Sequence, residues 1–221
     1  MFSSHVVRSR HVRPILVVTT ALAIAVPAIA GPPLLCHPFD IGSARSLPWD
    51  GTRSWQGGLS SYPLVRLVND TEALLGPSTP VIVRMETLRR AAIYASGNVQ
   101  VATDLFTRLT SRARASEQAG TPDALAYLDA AYYTEAIREI AEITEIARDR
   151  APMLRALVRG SDAYSLATSS IAARPGDPAI EFAAALIALD RHRAAYQVHA
   201  GRARAGAHQD ALLARNIDKV R

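Results

Sequence analysis

Residues 121–150, TPDALAYLDAAYYTEAIREIAEITEIARDR, set the reading of the whole chain. Thr121-Pro122-Asp123 is a helix-opening signature, with a capping residue, a proline and an acid placed just before an apolar run. Downstream, Ile137, Ile140, Ile143 and Ile146, with Ala136, Ala141 and Ala147, recur at three- and four-residue intervals and build one apolar stripe. Glu135, Arg138, Glu139, Glu142, Glu145 and Arg148 fill the remaining surface. The spacing predicts a helix over residues 135–150 with a solvated charged face. Glu135 would pair with Arg138, and Glu145 with Arg148, each pair contributing only ~0.2–0.5 kcal/mol. Carboxylate metal bundles need Glu-x-x-His, which this run lacks, so the glutamates predict no metal site.

The same punctuation repeats on both sides. Asp177-Pro178 follows Pro175-Gly176, and Thr79-Pro80 follows Gly76-Pro77, so each cap-and-proline pair starts a helix just after a stop. Ser61-Tyr62-Pro63 opens a helix reaching to about Leu75. Asn98, after Gly97, caps another that runs to about Gln118 before Gly120. Nothing from residue 62 to residue 221 alternates with the period of two that marks a strand. The fold class expected is all-α: stacked antiparallel helical hairpins, as a solenoid or a bundle, forced back on one another by short connections.

Two stretches resemble the tetratricopeptide repeat. Ala124, Ala131, Tyr133 and Ala136 match its small residue, tight turn, aromatic and second-helix alanine. Around Asp177-Pro178, Ala183 and Ala195 keep the same relative spacing, after an Arg-Pro-Gly-Asp-Pro junction typical of repeats. The resemblance covers about residues 117–150 and 176–208. The matched alanines Ala124 and Ala183 lie 59 positions apart, whereas the family repeats every ~34 residues. The resemblance implies paired helices and a concave surface for a protein or peptide. The arm-plus-helices layout is also similar to that of uncharacterised secreted bacterial proteins, which brings no activity and no functional residues.

Residues 31–61 differ in character from the helical region. Pro32, Pro33, Pro38, Pro48, Gly51, Gly57 and Gly58 forbid regular helix, while Leu34, Leu35, Phe39, Ile41, Leu47, Trp49 and Trp55 want burial. An extended arm wrapping the helical domain, residues 62–221, satisfies both demands; completing or plugging a groove is its functional alternative. Residues 1–30 carry Arg8, Arg10 and Arg13, then an apolar run from Ile15 to Val26, then Ala28-Ile29-Ala30. That order predicts a secretory signal cut between Ala30 and Gly31, hence a periplasmic or secreted protein. A retained anchor is the alternative, although sixteen residues from Ile15 to Ala30 fall short of the ~20 that span a bilayer. A lipobox is excluded because Leu34-Leu35 precedes Cys36.

The leader holds three of the 25 basic residues and no acid, so removing it leaves 22 basic against 20 acidic residues. The remaining signs are interleaved, which argues against a nucleic-acid stripe. Cys36 is the sole cysteine and precedes His37; adjacent residues on an extended arm point opposite ways, so they form no catalytic dyad. Cys36 is therefore expected as a buried small hydrophobe, with a reactive or intermolecular disulfide-forming thiol as the alternative. His192, His199 and His208 lack zincin spacing, and no Gly-x-Ser-x-Gly or phosphate loop is present. No catalytic, cofactor-binding or metal residue is expected. The sequence favours a non-catalytic module binding a protein or peptide partner, with an enzyme whose site is assembled from scattered residues as the alternative.

Overall fold

A computed structural model describes Met1, residues 32–50 and residues 57–220 of the chain. Residues 2–31, which hold most of the expected leader and its expected cleavage site at Ala30 and Gly31, and Trp55 of the arm lie outside the described residues. Among those described there is no strand, and helices dominate from Leu67 onward: α1 Leu67–Leu74, α2 Val81–Ala95, α3 Val99–Gln118, α4 Ala124–Glu142, α5 Thr144–Ala147, α6 Ala151–Val158, α7 Ala163–Ala173, α8 Pro178–Ala188, α9 Arg193–Gly206 and α10 Ala211–Asn216. The all-α expectation holds. No described helix is long and apolar enough to cross a membrane.

Side-chain caps start most of the long helices. Asn98, Asp123, Asp162, Asp177 and Asp210 each accept backbone N–H bonds from the first turn of the helix they open. Thr79 is a correction. It is not a cap; its hydroxyl donates 2.9 Å to the Leu74 carbonyl, tying the end of α1 to the loop, and Pro80 occupies the cap position of α2 without a side-chain bond. At Asp123 the proline likewise precedes the cap instead of following it.

α4 is the hub. It packs against α2, α3, α6, α7 and α8, and of its residues only Arg138 and Glu142 are not buried. A helix buried on every side needs apolar or internally satisfied residues all round, and the alanines let its neighbours approach closely. The solvated face expected over residues 135–150 is therefore corrected: Glu135 and Glu139 are buried. The single helix is corrected too. α4 ends at Glu142, Ile143 is extended, α5 makes about one turn, and Arg148 takes φ 49°. The β-branched run of Ile143, Thr144 and Ile146 favours helix weakly. Guanidiniums satisfy the exposed carbonyls: Arg155 donates to Ala141 and Arg150 to Ile146. Glu135 pairs with Arg138, but beyond the break no ion pair joins Glu145 to Arg148 among the described residues.

α8 and α9 form a close hairpin. A Cβ on Gly206 would stand 2.5 Å from the Pro178 side chain, so the end of α9 meets the start of α8 only because that position is glycine. α8 also packs on α7, α4 and α2, closing the layer around the hub.

Residues 32–50 run without helix or strand along the helical body, and Leu34, Leu35, Phe39 and Leu47 are buried in the common core. Side chains of the helices take the place of a β-ladder in pairing this backbone. Glu139 accepts from the Leu34 amide at 3.1 Å, and the Tyr132 hydroxyl donates to the Leu34 carbonyl. Glu86 accepts from Phe39, Arg89 donates to Leu35, Arg90 to Leu47 and Tyr94 to Pro48. Asn216 of α10 both accepts from and donates to the backbone of Asp40. Trp49, half-buried, lies edge-on to Tyr94 and beneath the guanidiniums of Arg89 and Arg90.

Candidate functional site

The charged side chains of this protein divide into those closed inside the fold and those facing a cleft. Inside, Arg84 holds Asp129 through two bonds of 2.8 and 2.5 Å, with Arg112 on the same carboxylate. Arg89 and Arg90 converge on Glu86. Burial alone pushes the Glu86 carboxyl up, but the two guanidiniums outweigh it and hold it below the usual carboxylate range. Glu139 has no guanidinium in bonding distance among the described residues. Burial drives it well above the usual range against the opposing pull of the Leu34 amide. These groups are structural, because their bonds are turned on the chain itself.

A different arrangement occurs at the end of the bundle where α4 stops. A half-open cleft of about 500 Å³ is bounded by the last turns of α4, by α6, by the start of α7 and by the junction of α8 and α9. Val158 and Ile187, both buried, floor it, and Arg138, Arg155, Arg159 and Arg191 line it. The break after Glu142 creates this cleft: by leaving the helix, the chain lets α6 return alongside α4 and bring Arg155 and Arg159 over its end. Arg138 pairs with Glu135 and donates to the Ser161 carbonyl, while Arg191 donates 3.3 Å to Glu142. Partial burial, followed by the nearby charge of Arg191, pulls the Arg138 guanidinium below its ordinary value.

One wall is aromatic. The Tyr164 ring stacks on His192 with centroids 4.3 Å apart. Its hydroxyl lies 3.0 Å from His199 Nε2, and His199 Nδ1 lies 2.5 Å from Glu181 Oε2. A carboxylate only accepts, so Nδ1–H donates to Glu181, and Nε2 shares a hydrogen bond with the phenol. Arg202 donates to the other Glu181 oxygen. The order resembles a nucleophile, base and orienting acid, but burial, then Glu181 and Asp162, raise the Tyr164 pKa. An activated nucleophile needs the opposite shift. The trio fixes the wall of the cleft.

A second, smaller cleft of about 250 Å³ lies against α3 and α7 and shares Ser161 and Asp162 with the first. Arg114 and Tyr127 line it.

Cys36, the only residue singled out from sequence as a site candidate within the described region, lies elsewhere. With His37 it lines a wide groove between the arm and the C-terminal segment that carries Arg215 and Lys219. It is half-buried, and burial, then the charge of Glu139, raise its thiol pKa despite Arg89. The thiolate is the reactive form, so this environment slows its chemistry. No group of three or more His, Cys, Asp or Glu side chains among the described residues is placed to hold a metal ion. No local pattern signals the arginine cleft: its residues come from five segments, and only the excess of Arg155 and Arg159 over nearby acids hints at it. No protein family, curated protein or solved structure matches the chain.

Proposed function

We propose that this is an exported helical protein that acts without catalysis, docking a protein or peptide partner through the joined clefts at the end of α4. The observation that carries the reading is that two clefts, one between α4, α6 and α7 and one against α3 and α7, share Ser161 and Asp162 in their linings, so a chain laid across that turn would reach both. A track of that form suits an extended chain better than a small molecule enclosed on all sides. Helical-hairpin proteins offer such surfaces by geometry, with no sequence motif required. Within this reading α8 and α9 are the tetratricopeptide-like pair, and α4 is the centre of a bundle instead of one rung in a solenoid. Export rests on the leader: its basic start, apolar run and Ala-x-Ala end are the features that support a periplasmic or secreted location.

Site-specific photocrosslinking in the producing cell tests it. A benzoylphenylalanine placed at the exposed Ser165 in the second cleft should give a discrete crosslinked protein, and one placed at the exposed Ala73 of α1 should not. Equal or absent crosslinking at both positions would remove the reading.

A further inference from the structure

The charges of the clefts are unequally matched. Glu135 is engaged with Arg138, Glu142 with Arg191, and Asp162 accepts the Tyr164 amide at the start of α7. Two of the three acids lining the larger cleft are thus held in ion pairs, while Asp162 keeps its charge. Arg155 donates to the Ala141 carbonyl, a dipole that leaves its charge uncancelled. Arg159 is exposed, and no carboxylate pairs with it among the described residues. Across the turn at Ser161, Arg114 is exposed without an ion-pair partner among the described residues, and Glu117 lines the same cleft. Arg155 and Arg159 therefore stand in one cleft, over Val158 and Ile187, and Arg114 in the neighbouring cleft that shares Ser161 and Asp162 with it.

We infer, resting on the binding reading above, that this track takes an extended acidic peptide segment of a partner protein, its carboxylates meeting Arg155 and Arg159 in one cleft and Arg114 in the other. Guanidiniums present paired donors to carboxylates, and partial enclosure lessens the competition from water. A single small anion would engage one cleft and leave the second unexplained. A nucleic-acid strand carries a charge at every step and would be repelled by Glu117, Asp162 and Glu142 along its path, whereas a peptide can place its acids at the arginines alone. The apolar floor of Val158 and Ile187 favours a segment that alternates acidic with aliphatic residues.

The test is fluorescence anisotropy on the full mature chain, using a fluorescein-labelled octapeptide of alternating Glu and Leu at low salt. The double variant R155Q/R159Q should bind about tenfold more weakly and R114Q about threefold, while R215Q in the remote C-terminal groove stays at wild-type affinity. Binding should also weaken as salt shortens the Debye length. An octapeptide with Ser in place of Glu that binds equally well, an R155Q/R159Q variant that binds as wild type does, or tighter binding of a dT12 oligonucleotide would each overturn the inference. If the Ser peptide binds and Ser165→Trp abolishes it, the docking track stands and only its acidic preference falls. If no peptide of any composition binds, both fall.

Discussion

The arm-binding face and the arginine cleft use the same residue types to opposite ends. On the first, Arg89, Glu86 and Glu139 are buried and their bonds close on the backbone of the arm or on one another. On the second, Arg155 and Arg159 are exposed and uncancelled. A buried charge carries a desolvation cost that only a complete set of partners offsets, so it is fixed in one role. An exposed charge costs little to leave unpaired and stays available to a ligand. Burial, more than residue type, separates scaffold from candidate site here.

The comparison breaks most visibly at the arm. A chain beginning at Ser61 loses Leu34, Leu35, Phe39 and Leu47 from the core and leaves Glu139 and Glu86 without their arm amides. Each large apolar truncation costs ~2–5 kcal/mol, so the total approaches the ~5–15 kcal/mol that holds a domain together. The expected outcome is loss of a cooperative thermal transition; an unchanged melt would make the arm a dispensable tail. Next in size, Arg89→Ala removes the two bonds to Glu86 and the bond to Leu35, leaving a buried carboxylate with Arg90 as its one remaining guanidinium. Denaturant unfolding should show a loss of ~3–5 kcal/mol, with Arg89→Lys failing to restore the forked geometry.

Glu139 and Glu86 sharpen the contrast within the arm face itself. The folded-state pKa of Glu139 is raised, so the native protein holds its proton more tightly than the unfolded chain does. Its contribution to stability therefore declines as pH rises from the usual carboxylate range through the raised value. Glu86 runs the other way: its folded pKa is depressed, so its contribution is present above the usual carboxylate range and is lost as pH falls through the depressed value. Glu139→Gln should flatten the decline on the alkaline side, measured as denaturation midpoint against pH, while leaving the acid limb in place. A midpoint profile identical to wild type would mean that Glu139 is not protonated in the fold. The smallest expected effect is on the other side of the comparison. R155Q/R159Q should change stability by no more than ~0.5 kcal/mol, because exposed charges contribute little to folding. A larger loss would reassign these arginines to the scaffold.

How much of this is legible in the chain depends on range. Capping at Asn98 and Asp177, the stops at Gly120 and Gly176, and the absence of strand periodicity reflect interactions within a few residues, and in each the pattern agrees with the fold. The extended path of residues 32–50 and the burial of their leucines come from proline content and hydrophobicity in the same way. The errors fall where the environment is supplied from far away. Glu139 reads as a surface residue because its partner, the Leu34 amide, lies 105 positions earlier in the chain. Thr79 is a local exception: it reads as a cap, but its hydroxyl bonds the Leu74 carbonyl five positions back.

The helical class, most of the helix starts and the irregular arm are written locally in the chain, because propensity, capping and proline geometry act over a few residues. Packing alone settles that α4 is enclosed on all sides and that Arg155 and Arg159 come to stand over its end beside Arg138 and Arg191. Whether a charged side chain is desolvated, paired or left free depends on neighbours drawn from distant segments, and no local pattern records them.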